Sequence, residues 1–438
     1  MAGLLEHASV RRVSDDKLAA QIEMMATNST IDGLPLDVRP HDDREVELLI
    51  HCARASLEPE RAERTRALAT AELNWDRLLK LAQRNGLAPV LYHHLGRICA
   101  TSVPARPLEV LRDHFQKNTA LSLLRTGELV RLLGSLNDHG IQAIPYKGPT
   151  LAVTLYGHLA LRQFCDLDIL VRKSDVWNAS ALIEAQGFDP HFRIPETKRA
   201  AFVRLGYVQL FRRDAGRTLV ELHWGIAPRF FAVPFDMDAV WRRLEPMSLQ
   251  GATVWTPCPE DLLLMLCVHG AKDHWEKLEW VASLAEVLRR EGDVDWERVW
   301  LRSREMHCQA LLAFGLLLAH GLYDVPLPRQ AAALCRTRRL RALAGDVVQR
   351  FWADDVPPRT FARQVAFHLR LKDTYADRVR HCVRLALTTT PVDWSTMRLP
   401  GPLSFAYALF RAIRLTRKYG VDHGRAAARR SAERDHAA

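Results

Sequence analysis

Phe164-Cys165-Asp166-Leu167-Asp168-Ile169-Leu170-Val171 is the stretch on which the reading of this chain turns. Successive side chains of a strand point to opposite faces, so Asp166 and Asp168 leave one face while Leu167, Ile169 and Val171 enter a core. Asp is poorly represented in strands, and two carboxylates on one face repel each other unless a cation or basic group lies between them. The pair is therefore a candidate clamp for a divalent metal, against the plainer reading of two solvated residues on an edge strand.

A second alternating segment follows, Thr218-Leu219-Val220-Glu221-Leu222-His223-Trp224, with Glu221 and His223 on one face and Val220, Leu222 and Trp224 on the other. A third carboxylate from a neighbouring strand would complete an oxygen-donor set suited to Mg²⁺. Pairing of Glu221 with an arginine is the competing account. His223 reads as a hydrogen-bonding neighbour rather than a ligand, Trp224 as core, and Cys165 as core filling rather than a reactive thiol. Upstream, Ile144-Pro145-Tyr146-Lys147-Gly148-Pro149 is a short apolar strand that breaks at a Lys-Gly turn and enters the helical pattern Leu151, Leu155, Leu159. A turn at a helix N-terminus with a lysine beside it can receive phosphate oxygens, although Lys147 and Gly148 also fit an exposed lysine and an ordinary turn.

This order of parts resembles the nucleotidyltransferase superfamily built on the DNA polymerase β type of catalytic core. More narrowly, Lys147-Gly148, Leu155-Tyr156-Gly157, Arg162, Asp166-Leu167-Asp168-Ile169-Leu170-Val171, Glu221-Leu222-His223-Trp224 and His269-Gly270 with Trp275 resemble the bacterial group of uncharacterised nucleotidyltransferases. The resemblance runs from about Asn74-Trp75-Asp76 to Arg417-Lys418-Tyr419-Gly420. It implies a Mg²⁺-dependent (or Mn²⁺-dependent) enzyme that moves a nucleoside monophosphate from a nucleoside triphosphate, expected to be ATP, to an acceptor hydroxyl on a small molecule, peptide or protein. In that scheme Asp166, Asp168 and Glu221 are catalytic metal ligands, and Lys147, Gly148, Arg162 and Lys272 meet the nucleotide. His223 and His269 support the site from behind. A structural ion pair is the alternative for Arg162, and packing or capping for Lys272 and His269. Two departures stand out: the superfamily's Gly-Ser is Gly148-Pro149 here, and the gap from it to Asp166 is longer than the common one; separately, a position usually acidic in the family is Ser283. The first motivates a second reading, a non-catalytic nucleotide-binding or scaffold protein on the same fold.

The 438 residues, 48% of them apolar, can bury a large core. Lys and Arg exceed Asp and Glu, giving a formal net charge of +10, which suits an anionic partner. Half of that excess lies between Arg411 and the chain end, in a stretch whose tail includes Arg425, Arg429, Arg430 and Arg434. No aromatic residues interleave this tail and no nucleic-acid-binding module precedes the core, so nucleic acid is a possible partner but not the favoured one. Eight cysteines without a C-x-x-C pair read as reduced thiols. The N-terminus lacks the apolar stretch of a signal peptide, and the longest apolar run, Ala310 to Tyr323, is too short to span a bilayer. A cytoplasmic protein without a membrane span is expected.

Periodicity predicts an α+β fold, a small mixed-sheet core flanked by helical regions. Residues 1–40 form a loosely ordered leader, 41–140 an N-terminal helical region, 141–256 the α+β core, 257–398 a C-terminal helical region, and 399–438 a terminal helix and basic tail. One helical face is expected to carry Leu78, Leu79, Leu81 and Ala82, and another Leu121, Leu124, Leu129, Leu132, Leu133 and Leu136.

Overall fold

A computed structural model describes residues 30–31, 43–216, 218–290 and 294–389. The rest of the expected leader, and the terminal helix and basic tail expected over 399–438, lie outside the described residues.

The chain begins with α1 (Arg44–Cys52), α2 (Pro59–Ala69), α3 (Trp75–Arg84), α4 (Ala88–Ile98) and the long α5 (Ala105–Asp138). Side chains start two of these helices: Asp43 accepts from the Val46 N–H and Asn74 from the Arg77 N–H, satisfying donors that have no partner within the first turn. Leu78, Leu79, Leu81 and Ala82 form the buried face of α3, as their spacing predicts.

On α5 the spacing misleads in part. Leu129, Leu132, Leu133 and Leu136 are buried, but Leu121 is 45% and Leu124 71% exposed. The inward stripe continues instead through Thr126, Ser122 and Asn118, at helical steps of four. These smaller or polar side chains let the connection 158–165 pass close by. Asn118 Nδ2 donates to the Ala160 carbonyl at 2.9 Å, and Arg125 donates to the Phe164 carbonyl at 2.7 Å.

The sheet comprises β2 (Ala143–Pro145), β3 (Asp166–Val171), β4 (Asp189–Pro190), β5 (Val208–Arg213) and β6 (Thr218–His223), in the order β2-β3-β6-β5-β4. Only β3 and β6 run parallel; the other neighbours are antiparallel. Between these strands lie α6 (Pro149–Tyr156), α7 (Val176–Ala185) and α8 (Glu196–Leu205). The strands' alternation sorts side chains between two cores. Leu167, Ile169, Val171, Val220, Leu222 and Trp224 pack with the C-terminal half of α5 and with α7, whereas Ile144 and Leu170 join the larger helical core.

After α9 (Met237–Arg242), the hairpin β7 (Leu244–Leu249) and β8 (Ala252–Pro257) leads into α10 (Pro259–Lys272), α11 (Leu278–Arg289), α12 (Trp296–Glu305) and α13 (Gln309–Tyr323). Nearly every α13 side chain is buried, so the apolar run at Ala310 to Tyr323 is a core helix. Then come β9 (Leu327–Pro328), which pairs with β1 (Thr30–Ile31), and α14 (Arg329–Cys335), α15 (Arg338–Trp352), α16 (Phe361–Arg370) and α17 (Tyr375–Leu387). Among the described residues no helix is long and apolar enough to cross a membrane. The architecture is the expected mixed sheet flanked by helices.

Candidate metal centre

Register brings the carboxylates together. Asp168 on β3 lies beside Glu221 on β6, and Asp166 lies beside Leu219 two residues earlier. Because neighbouring residues across a parallel ladder share a face, the Asp-x-Asp pair and Glu221 all leave the sheet on the side away from Leu167 and Leu222. His223, two residues beyond Glu221, stays on that face. Its Nε2 lies 3.1 Å from Asp168 Oδ1 and 3.0 Å from Glu221 Oε2.

Lys147 reaches the same place from β2. Its Nζ sits 2.5 Å from Asp168 Oδ1, with both side chains buried. The basic group that two neighbouring carboxylates require is thus supplied by the chain itself. Burial opposes charge on Asp168, but Lys147 and His223 outweigh it and hold the carboxyl well below the usual range. Burial likewise opposes charge on Lys147 and His223, and the surrounding carboxylates push both upward. Asp166 goes the other way: the Asp168 charge and then burial raise it. Glu221 would be raised by burial, yet its contact with His223 leaves it lowered.

The backbone turn that delivers Lys147 depends on Gly148, whose φ of 55° with ψ of −121° is costly for any residue with a side chain. An added Cβ would also stand 3.4 Å from the Asp166 carbonyl and 3.7 Å from the Phe164 ring. Pro149 occupies the first helical position, where its fixed φ suits the turn and its missing N–H breaks no helical bond. The same substitution removes a donor from the helix N-terminus, and the Thr150 N–H already bonds the Lys147 carbonyl at 3.2 Å.

The C-terminal end of α10 supplies a second basic group. Lys272 Nζ lies 3.1 Å from Asp273 Oδ2, 3.5 Å from the Tyr207 hydroxyl and 5.4 Å from the Tyr207 ring centre. The Tyr207 ring in turn stands 6.1 Å from that of His223. Burial, then the positive charges of Lys147 and Lys272, push His269 well below its ordinary value. Its Nδ1 lies 3.3 Å from Asp273 Oδ2. Gly270 clears space for Trp275, whose ring would lie 2.5 Å from a Cβ at that position.

Arg162 is committed elsewhere. Its guanidinium lies 2.7 Å from the Glu279 carboxylate, both side chains being buried, and Nε reaches Ser283 Oγ at 3.5 Å. The structural ion pair considered for Arg162 is present, with Glu279 on α11 as its unexpected partner. His274 also points away from the centre and stacks on His368 at 4.7 Å. Cys165, expected to fill a core, is exposed because it precedes the first residue of β3.

The structure adds residues that had no individual signal. Tyr146 sets its ring edge-on to His223 at 5.3 Å, and burial followed by the nearby carboxylates keeps its phenol protonated. Tyr207 and Asp273 join Lys272. Tyr146 and Asp273 adjoin residues already singled out, but Tyr207 precedes β5 in a segment with no chemical pattern.

Asp168, Glu221 and His223 each offer a donor atom within 4.8 Å of the others, the compact metal-competent group among the described residues; Asp166 lies on the same face outside that group. Two carboxylates fit Mg²⁺ or Mn²⁺, and the imidazole suits a softer divalent ion as well. A cavity of about 720 Å³ between α6, the β7–β8 hairpin and α10 has none of these residues in its lining. The convergence of titratable groups, rather than that cavity, marks the candidate centre.

A family model described as uncharacterised nucleotidyltransferase matches residues 71–324. The crystal structure of an antigenic nucleotidyltransferase-like protein from Paracoccidioides brasiliensis is similar over 41% of this chain and 86% of that one, at 12% identity and a TM-score of 0.27. A likeness that low bears on neither the fold nor the chemistry. No curated protein shows significant sequence similarity.

Proposed function

Since the chain belongs to the uncharacterised nucleotidyltransferase family, we propose that it transfers a nucleoside monophosphate from a nucleoside triphosphate to an acceptor hydroxyl at the Asp168–Glu221 centre. The observation that carries this reading is the register of β3 and β6, which sets Asp168 beside Glu221 with Asp166 on the same face. Asp166, Asp168 and Glu221 would hold Mg²⁺ or Mn²⁺, with ATP as the expected donor. A bound divalent ion supplies Lewis acidity to phosphoryl and hydroxyl oxygens. In the transfer a bond forms between the acceptor oxygen and the α-phosphorus, and the bond to the bridging oxygen of pyrophosphate breaks.

The side chains have separate tasks in this scheme. Glu221, with a side chain 31% exposed against 1% for Asp168, is the carboxylate placed to take the hydroxyl proton. Lys147 and Lys272 bring positive charge to the triphosphate, a task the helix N-terminus shares less because Pro149 has no N–H to give. His223 holds Asp168 and Glu221 in place through Nε2. Its buried Nδ1 has no hydrogen-bond partner among the described residues, unlike the usual metal-bound histidine, whose second nitrogen is fixed by one. Arg162 acts through Glu279 to support α11 behind the site.

The Gly148-Pro149 turn favours one second reading, a nucleotide-binding protein without transfer. Incubation with α-³²P-labelled ATP, Mg²⁺ and a panel of hydroxyl-bearing small molecules and peptides separates the two. Label on an acceptor with matching pyrophosphate release supports transfer. Tight nucleotide binding with no label on any acceptor supports the non-catalytic reading.

A further inference from the structure

The outer face of α5 carries a stripe that nothing in the fold explains. Val110, His114, Lys117, Leu121 and Leu124 recur at steps of four and three, so they line one side of the helix. Leu121 and Leu124 are 45% and 71% exposed, and Val110 is 37% exposed. Val110, Leu121 and Leu124 are the apolar members of the stripe, and His114 and Lys117 stand between Val110 and Leu121.

Val110, His114, Lys117 and Leu121 of this stripe line an open groove of about 610 Å³ whose lining also includes Gln163 and Cys165. Cys165 immediately precedes Asp166, so the groove ends at the strand that carries the candidate metal ligands. Gln163 Oε1 is buried behind the groove surface and has no hydrogen-bond partner among the described residues. Lys117 forms no ion pair among the described residues and pushes the neighbouring His114 downward, second to burial. Lys117 and Arg125 outweigh Asp113, leaving the lining cationic.

We propose that this groove docks the acceptor, and that the acceptor is a peptide segment of a protein carrying acidic and leucine-like side chains beside its hydroxyl. The inference rests on the nucleotidyl-transfer reading for what happens to that hydroxyl, but not for the docking itself. Val110 and Leu121 offer apolar anchors and Lys117 meets carboxylates. Single-stranded nucleic acid is disfavoured because no Phe, Tyr or Trp lines the groove to stack a base.

Fluorescence anisotropy tests this with the full chain, without nucleotide, against a labelled library of dodecapeptides built from Leu, Glu and a single Ser. Saturable binding is expected for members of the library, with Lys117→Glu and Leu121→Glu each weakening it about tenfold or more, near 1.4 kcal/mol. Both positions are solvent-facing, and unchanged melting temperatures separate lost docking from lost folding. The proposal is overturned if no member binds, if the two variants bind as wild type, or if a single-stranded RNA 12-mer displaces the peptides and binds more tightly. A dimer that Leu121→Glu dissolves also overturns it, since the stripe would then be covered by a second copy. Adding α-³²P-labelled ATP and Mg²⁺ to a bound peptide is a separate readout: an unlabelled serine counts against nucleotidyl transfer while the docking surface stands.

Discussion

Asp168 accepts contacts from both Lys147 and His223, so removing its charge affects more than a metal ligand. Asp168→Asn should lower turnover by about 10³-fold, or roughly 4 kcal/mol of transition-state stabilisation. It should also lower stability by about 3 kcal/mol or more, because a buried Lys147 loses its nearest counter-charge. Denaturant unfolding checks the second part; an unchanged or raised midpoint would mean that Asp166 and Glu221 hold Lys147 without it. Lys147→Met isolates the other partner. Taking away the ammonium group frees Asp168 for a cation, so Mn²⁺ should bind at least as tightly by titration calorimetry while ATP binds more weakly. Weaker Mn²⁺ binding in a folded variant would show that Lys147 helps to build the centre instead of occupying it.

At the scale of elements, the centre is a product of one register and two close approaches. Gly148→Ala places a Cβ in a left-handed conformation against the Asp166 carbonyl, and Gly270→Ala drives one into the Trp275 ring. Each should cost about 1–3 kcal/mol, measured as a shift in the unfolding midpoint. A shift of a few tenths in either would show that the turn or the indole relaxes freely. These elements also show what the sequence could reveal. The alternation around Asp166 and Glu221 was legible because a half-buried strand must sort its side chains by face. Lys147-Gly148-Pro149 was legible as a strand end entering a helix. The contact of Lys147 with Asp168 was not, since it depends on the antiparallel pairing of Pro145 with Ile169. Leu121 and Leu124 misled for a related reason: helical spacing gives the direction of a stripe, but the passage of the connection 158–165 over Asn118 and Ser122 decides which stripe is covered.

Across the whole molecule, buried charge and buried histidine set the conditions under which the fold persists. Asp261 is fully buried at the start of α10, where Arg243 pairs with it through a forked contact of 2.9–3.1 Å and Arg302 completes the set. Asp261→Asn leaves two arginines short of a counter-charge and should destabilise the fold by about 3–5 kcal/mol; a loss below about 1 kcal/mol would mean that solvent reaches them. Farther along, His274, His368 and His381 gather around Phe231 and Phe367, beside Lys372, which donates to the Phe231 carbonyl. Burial brings them down to about 4, about 3 and about 4, respectively. A histidine lowered on folding binds its proton more readily in the unfolded chain, so its stabilisation is complete above the ordinary value of 6.5 and is lost as pH falls toward 3. Urea midpoints should therefore fall between about pH 7 and pH 4, and substituting Phe for His368 should flatten that fall. A slope that His368→Phe leaves unchanged would place the acid sensitivity elsewhere.

If Asp168 and Glu221 hold a divalent ion, nucleotide binding depends on that ion. Titration calorimetry of the folded wild-type chain with a non-hydrolysable ATP analogue, with and without Mg²⁺, tests it most directly. Binding should appear with Mg²⁺, vanish with a chelator, and weaken at least about tenfold in Glu221→Gln, near 1.4 kcal/mol. Absence of binding by the folded wild type with Mg²⁺, or binding of equal strength with the chelator and in Glu221→Gln, would contradict the account.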